Sequence, residues 1–533
     1  MRKAEDETAG VLRDEVHYDG RRMLCYAERP ASLTAMFGGL VARYPDRPAV
    51  VEDDAITYAE LDRLTRVIGA NLTTLGVAPG DRVALYLGNA WEFLAVLFAC
   101  IRIGAIVVPI GTRQRHAELE FMLNDSGAKI LVHEADLAAF IPAPAEIPGL
   151  AHRFSIRAPA PLARPFDDLL IEGDACPAHQ PREEDVAIIL YTSGTTGRPK
   201  GAQLTHLGII HSALAFARTF GLTEKDRGYV AVPLSHVTGL VGVSMAAMIA
   251  GGAVVLMRQA FKAPDFLAQA AREKITFTIV VPAIYSLCAM SPALEEHDLS
   301  AWRIGSFGGA PMPVPTIEAL AKKLPQLNLV NAYGATETTS PATIMPVPLW
   351  HDHVDSVGRV VHCGVIRIVD DEGRDVAPDE PGEIWIAGPM VTPGYWNRPD
   401  ANANEFIEGF WKSGDIGSRD ADGFVRVFDR KKDMINRGGF KIFSAEVESV
   451  IAGIPGVVEC AIVGKPDPVL TERVCAIVVV EEGASVQPED VRAWCAARVS
   501  DYKTPEFVDV RTEPLPRNAN GKILKPLLRK EVG

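Results

Sequence analysis

The sequence predicts an α/β protein. A large N-terminal domain, built of two α/β sheet subdomains and a small β-rich subdomain, is followed by a small α+β C-terminal domain. Three observations lead there. From Leu33 onward short apolar runs alternate with amphipathic stretches of helical period, the βα pattern of a sheet covered by helices. The chain has 533 residues, more than one core organises, so roughly two to four domains are expected. After about residue 350 the runs shorten to strands. A charged break, Phe428-Asp429-Arg430-Lys431-Lys432-Asp433-Met434-Ile435, then precedes a compact mixed unit of about a hundred residues.

Taken in order, residues 1–30 are polar and mixed in charge and read as a loosely held arm. Helices are expected at 35–43, 58–75, 91–103 and 117–124, the third stopped by Gly104. Strands are expected at 49–51, 83–87, 106–109 and 130–132, the second opened by the turn Pro79-Gly80-Asp81. Residues 141–182, rich in Pro and Ala and without a period, read as a connector. A second α/β run begins with a strand at 185–190 and a helix at 204–220. It continues with strands at 229–232, 276–281, 304–307 and 327–330. Each of these last four ends in a Gly- or Pro-marked loop, and in open parallel sheets ligands collect outside the carboxyl ends of strands. Short strands at 365–369 and 383–386 make the β-rich part.

Composition narrows the function. The content is 48% hydrophobic and 23% charged, that of an ordinary globular protein. A formal net charge of -14 argues against nucleic acid or an anionic membrane as partner. The eight cysteines form no C-x-x-C pair, which suits reduced thiols better than a disulfide or zinc framework. His351-x-His353 lies on a polar loop without further ligands nearby. No secretory signal is visible. Residues 239–257 carry no charge, but Gly251-Gly252 splits them, so a buried helix and a core strand are expected rather than a membrane span. A soluble, cytoplasmic protein follows.

The most informative stretch is Tyr191-Thr192-Ser193-Gly194-Thr195-Thr196-Gly197-Arg198-Pro199-Lys200-Gly201. Glycines let a backbone approach a ligand closely, hydroxyls and free N–H groups donate to phosphate oxygens, and Lys200 offsets their charge. It is not a Walker A loop, which needs Gly before its Lys and Ser or Thr after; Pro199 and Gly201 stand there.

With four further motifs, this loop resembles the adenylate-forming superfamily of acyl-CoA synthetases, adenylation domains and luciferases, most closely a free-standing carboxylic acid–CoA ligase. The others are Tyr333-Gly334-Ala335-Thr336-Glu337, Trp411-Lys412-Ser413-Gly414-Asp415, the stretch 429–442, and Pro516-Arg517-Asn518-Ala519-Asn520-Gly521-Lys522. They occur in the family's order over residues 33–525. The resemblance implies two half-reactions: a carboxylate attacks the α-phosphate of ATP to give acyl-AMP and pyrophosphate, then coenzyme A displaces AMP. It implies a domain at 1–429, a hinge at 430–433 centred on Lys432, and a mobile lid at 434–533.

Catalytic roles are implied for Lys522, Thr192, Glu337 and His236, with Glu337 also holding Mg²⁺. Lys522 would bridge carboxylate and α-phosphate, and His236 would gate the acyl pocket. ATP and coenzyme A contacts are implied for Thr192, Ser193, Gly194, Thr195, Thr196, Gly197, Lys200, Gly309, Ala310, Pro311, Asn331, Ala332, Tyr333, Gly334 and Thr336. In the last part of the chain they are implied for Asp415, Arg430, Lys432, Gly438, Gly439 and Lys441. Asp415 and Arg430 would hold the ribose, and Gly438-Gly439 would leave a channel for the pantetheine arm. The acid pocket is expected from His236, Val237, Val281, Gly308, Gly334 and Thr338. The stretches around them contain no arginine or lysine, so a dicarboxylate is disfavoured and a short or medium aliphatic acid or an aromatic acid fits. Departures are modest: Ser413 for a usual Thr, Asp429 for a frequent Gly, Lys525 for a common Arg. A carrier-protein acceptor, a non-catalytic nucleotide- or acyl-binding relative, and a homodimer all stay open.

Overall fold

Runs of β-branched residues bounded by Gly, Pro or Asp build two large sheets in the first part of the chain. The computed structural model describes residues 10–18, 20–173, 175–192, 199–309, 312–517 and 522–533. The chain divides into two compact units, Met1–Ile366 with Ile386–Trp411 and Gly423–Val425, and Arg367–Trp385 with Lys412–Asp422 and Arg426–Gly533.

In the first unit a seven-stranded sheet runs Lys200–Thr205, Val186–Thr192, Ile106–Pro109, Arg82–Tyr86, Ala128–Glu134, His152–Ile156, Arg164–Pro165. All neighbours are parallel except the edge strand Lys200–Thr205. A nine-stranded sheet has a parallel centre, Asn328–Tyr333, Ile304–Phe307, Phe277–Val280, Arg227–Val230, Ala253–Leu256, Pro48–Val51, with antiparallel strands at both ends. Helix Trp91–Ile103 is buried on all sides except at Trp91 and Arg102, and Gly104 ends it at φ 76°. Such all-round burial is how a helix inside a layered protein reads.

The second unit holds a five-stranded sheet, Phe440–Ile442, Ile435–Arg437, Thr471–Val480, Val457–Asp467, with Phe507–Arg511 parallel to Thr471–Val480. Ile435, Ile442, Val447, Ile451, Ile462 and Val474 form its core. Asp429 has a structural task here. Its Oδ2 accepts from Ser444 N at 2.5 Å and Ser444 Oγ at 2.7 Å, at the start of helix Ser444–Ile451.

The expectation of an α/β protein with a larger multi-sheet part and a smaller mixed part holds. Three local expectations do not. The N-terminal arm contains a hairpin, Leu12–His17 with Arg21–Tyr26. Contacts distant in sequence anchor it: Arg29 Nη2 donates to Glu15 Oε2 at 2.7 Å, Arg29 Nε to Glu183 Oε1 at 2.7 Å, and His17 Nδ1 lies 3.0 Å from Glu184 Oε1. The connector contributes strands His152–Ile156 and Arg164–Pro165, since a sheet edge recruits segments that have no period of their own. The helix expected from 204 begins at His206, because Lys200–Thr205 pairs as a strand with Val186–Thr192. Within 239–257 the expected buried helix and core strand are present, the helix opening as a π-helix, Thr238–Met245, that leads into Ala246–Ile249 before strand Ala253–Leu256. Among the described residues no helix is long and apolar enough to cross a membrane. All eight cysteines are free, and six are buried.

Two histidines of helix His206–Thr219 are buried neutral. His206 Nδ1 accepts from Leu33 N at 3.2 Å. His211 Nδ1 donates to Leu207 O at 2.8 Å while Nε2 accepts from Tyr26 N at 3.2 Å, so a second ring proton would face a donor. Burial lowers both to about 4. The folded chain therefore refuses protons that the unfolded chain accepts. This stability is complete above pH 6.5 and is lost as pH falls toward 4, each residue accounting for about 3 kcal/mol. Thermal midpoints should drop over that interval. His211→Gln, which keeps a donor and an acceptor without titrating, should drop less; parallel curves would refute this account.

Candidate active site

The edge pair of the seven-stranded sheet carries the glycine- and hydroxyl-rich loop. Ala187 to Leu190 are buried, and the register sets Thr192 opposite Lys200 and Tyr191 opposite Gly201. Thr192 Oγ1 donates to Lys200 O at 3.3 Å. Thr192 and Lys200 thus stand side by side at the open end. Ser193, Gly194, Thr195, Thr196 and Gly197 lie outside the described residues, as do Ala310 and Pro311.

A segment far along the chain is strapped to the same strand. Trp396 N donates to Gly201 O at 2.7 Å, Gln203 N to Gly394 O at 3.1 Å, and Ala202 bridges Tyr395. This brings Tyr395 beneath the lysine. Lys200 Nζ lies 2.6 Å from Glu405 Oε1, 2.8 Å from Oε2 and 4.4 Å from the centre of the Tyr395 ring. The Tyr395 hydroxyl lies 2.8 Å from Glu337 Oε1 and 2.9 Å from Glu405 Oε2. Burial, then the charges of Glu337 and Glu405, raise the phenol far above its ordinary range, so it stays protonated.

Glu337 is held by a loop folded on itself after strand Asn328–Tyr333. Ala335 N donates to Thr338 Oγ1 at 2.9 Å, Thr339 Oγ1 to Met390 O at 2.6 Å, and Thr392 N to Glu337 O at 2.9 Å. Thr339 and Ser340 sit at φ 50° and 103°, a conformation residues with a Cβ adopt at a cost. Gly334 is demanded by the fold-back: a Cβ there would lie 1.5 Å from Ser340 O. Glu337 is only 8% exposed.

The nucleobase candidates cluster. Asn331, Ala332 and Tyr333 are half-buried on strand Asn328–Tyr333, Thr336 follows in the loop, and a Cβ on Gly308 would meet Ala332 O at 2.3 Å. Gly309 is exposed with φ 79°. Of the acid-pocket candidates, His236 is half-buried just before the π-helix, a winding frequent at functional sites. Val237 is buried and Val281 is 46% exposed. Thr338 is fully buried, and its hydroxyl is engaged with Ala335 O and Ser340 O, both at 3.1 Å.

In the second unit Asp415 and Arg430 meet, Nε to Oδ1 at 2.8 Å, with Asp415 buried. Ser413 braces this pair: its Oγ donates to Ile384 O at 2.6 Å and accepts from Asp415 N at 3.0 Å. Lys441 is exposed, 3.6 Å from Asp371. Gly438 and Gly439, at φ 60° and 93°, form the two-residue turn between Ile435–Arg437 and Phe440–Ile442, so the hairpin itself requires them. Lys432 is lowered by partial burial and by the cations Arg430, Arg529 and Lys522, with Asp433 opposing. Lys522 is exposed.

A family model described as AMP-binding enzyme matches residues 40–396, and the AMP-binding enzyme C-terminal domain matches 446–522. The chain belongs to the AMP-binding enzyme family. This AMP-binding enzyme is similar to the feruloyl-CoA synthase of Amycolatopsis sp, 37% identical over 480 residues, covering 90% of this chain and 94% of that protein. It is also similar to the long-chain-fatty-acid–CoA ligase FadD13 of Mycobacterium tuberculosis, at 34% identity, 90% and 93% covered. Among solved structures it resembles the o-succinylbenzoate CoA synthetase (MenE) of Bacillus subtilis, at 30% identity. The complex with the acyl-adenylate OSB-AMP has a TM-score of 0.83, covering 94% of this chain and 98% of that one. The complex with ATP and magnesium ion has a TM-score of 0.81, covering 93% and 98%.

Sequence reasoning missed Tyr395 and Glu405. The turn Thr392-Pro393-Gly394 announces a break, but nothing local says that the next residue reaches Glu337, 58 positions earlier. Gly334→Ala should destabilise this AMP-binding enzyme by on the order of 3 kcal/mol, because the new methyl collides with backbone rather than a movable side chain. Denaturant unfolding checks this; an unchanged midpoint would mean the loop yields freely.

Proposed function

We propose that this AMP-binding enzyme is an AMP-forming acid–CoA ligase that activates a short- or medium-chain fatty acid or an aromatic carboxylic acid. The carrying observation is the array Lys200–Glu405–Tyr395–Glu337, which holds a cation and a buried carboxylate at the end of the strand pair Val186–Thr192 and Lys200–Thr205. The similar proteins are named a feruloyl-CoA synthase and a long-chain-fatty-acid–CoA ligase, which supports the chemistry and leaves the acid class to experiment.

The donor set fits Mg²⁺. Glu337, Glu405 and Lys200 together carry one excess negative charge, and their oxygens are the hard donors this ion prefers. Glu337 would hold it. Held there, the ion would supply positive charge to offset that of the phosphates. Thr192 and Lys200 orient the phosphates, and the Gly308–Ala332 surface with Tyr333 receives adenine. Asp415 accepts from the ribose hydroxyls with Arg430 steadying it. His236 and Val237 border the acid, whose carboxylate attacks the α-phosphorus. Lys522 is assigned to the charge that builds between carboxylate and phosphate. For the second step the segment 430–433 turns the C-terminal part, withdrawing Lys522 and bringing the Gly438-Gly439 turn and Lys441 to coenzyme A. A cytoplasmic location belongs to this reading and is supported by the eight free cysteines.

Pyrophosphate release over a panel of carboxylic acids, with and without coenzyme A, tests the assignment; release with none of them would refute it. Lys522→Ala should slow adenylation by roughly a hundredfold or more while sparing thioester formation from supplied acyl-adenylate. Equal loss in both steps would reject the two-pose role. Lys432→Pro restricts Lys431 as well as itself, so it should chiefly slow transfer to coenzyme A. Single-turnover rates of the two steps decide this, and an unaltered transfer rate would remove Lys432 as pivot.

A further inference from the structure

Tyr395 has one phenolic proton and two carboxylates within reach, Glu337 Oε1 at 2.8 Å and Glu405 Oε2 at 2.9 Å. A hydroxyl donates one hydrogen bond, so at any moment one carboxylate receives it and the other faces oxygen lone pairs. Lys200 selects between them. Its ammonium contacts both oxygens of Glu405, at 2.6 and 2.8 Å, which compensates that carboxylate and leaves the phenol to Glu337. The backbone bonds from Trp396 and Gln203 to strand Lys200–Thr205 keep ring and ammonium together.

We propose that Glu405 is the resting counter-ion of Lys200, and that Tyr395 couples the release of Lys200 to Glu337. When Lys200 moves from Glu405 to nucleotide phosphates, the phenolic hydroxyl turns to Glu405, and Glu337 Oε1 exchanges that hydrogen bond for a divalent cation. No bond between heavy atoms forms or breaks, and the proton stays on the phenolic oxygen throughout. Glu405 and Tyr395 are positioning residues: they act through Lys200 and Glu337. The proposal rests on the ligase reading in taking ATP as the ligand of Lys200.

Titration calorimetry with ATP, in EDTA and in Mg²⁺, without acid or coenzyme A, tests it. Glu405→Gln removes the competing charge, so metal-free ATP should bind about fivefold more tightly, a gain that structural damage does not produce. Glu405→Asp, one methylene shorter, withdraws the carboxylate from Lys200 and should gain in the same direction; it serves if the Gln variant fails to fold. Tyr395→Phe should shrink the ratio of ATP affinities with and without Mg²⁺ relative to the parent. Unchanged or weaker metal-free binding by both Glu405 variants overturns the counter-ion role, and an unchanged ratio in Tyr395→Phe overturns the coupling. In both cases the ligase reading stands. Absence of ATP binding by the parent protein under both conditions overturns this proposal and the ligase reading together.

Discussion

The antiparallel pairing of Val186–Thr192 with Lys200–Thr205 is the constraint on which the first unit's site depends. Strand side chains alternate between faces, so a slip of one residue would exchange the environments of Lys200 and Gly201. In the observed register Lys200 remains partly open while Gly201 and Ala202 are buried. The same strand offers Gly201 O and Gln203 N to the segment bearing Tyr395. One register therefore places the loop ends, the cation and the phenol.

Charge compensation is the second organising theme, and it is local to each unit. In the first, Tyr395 and Lys200 satisfy Glu337 and Glu405. In the second, Arg430 meets Asp415 and Ser444 meets Asp429. Removing one partner of a buried charge commonly costs several kcal/mol, so these side chains are held where their partners are. The arrangement also gives Ser413 and Asp429 their tasks. Ser413 needs only a hydroxyl to reach Ile384 O and Asp415 N, and Asp429 holds the start of a helix.

Much of the layout was legible locally. Helices 58–75 and 91–103 and the strands at 106–109 and 304–307 lie within a residue of their structural bounds, because their apolar period and their Gly or Pro stops act over a few residues. The hairpin at Leu12–Tyr26 and the strands within 141–182 were not legible. Their stability comes from partners such as Glu183 and from the edge of a sheet, which no local window contains. Strand Lys200–Thr205 read as the end of a loop and, from Leu204, the start of a helix for the same reason: its residues suit more than one state, and the neighbouring strand decides.

By itself the sequence determined the α/β class, the order of loops and the presence of Lys200, Glu337, Asp415, Arg430 and Lys522, because residue type and spacing along one strand or turn are local properties. Only the tertiary structure decided what each of them faces. Glu405 lies 205 residues from Lys200 and Tyr395 lies 58 from Glu337, distances along the chain that folding reduces to a hydrogen bond. Partner choice between groups so far apart is set by sheet register and loop closure rather than by either residue's own chemistry.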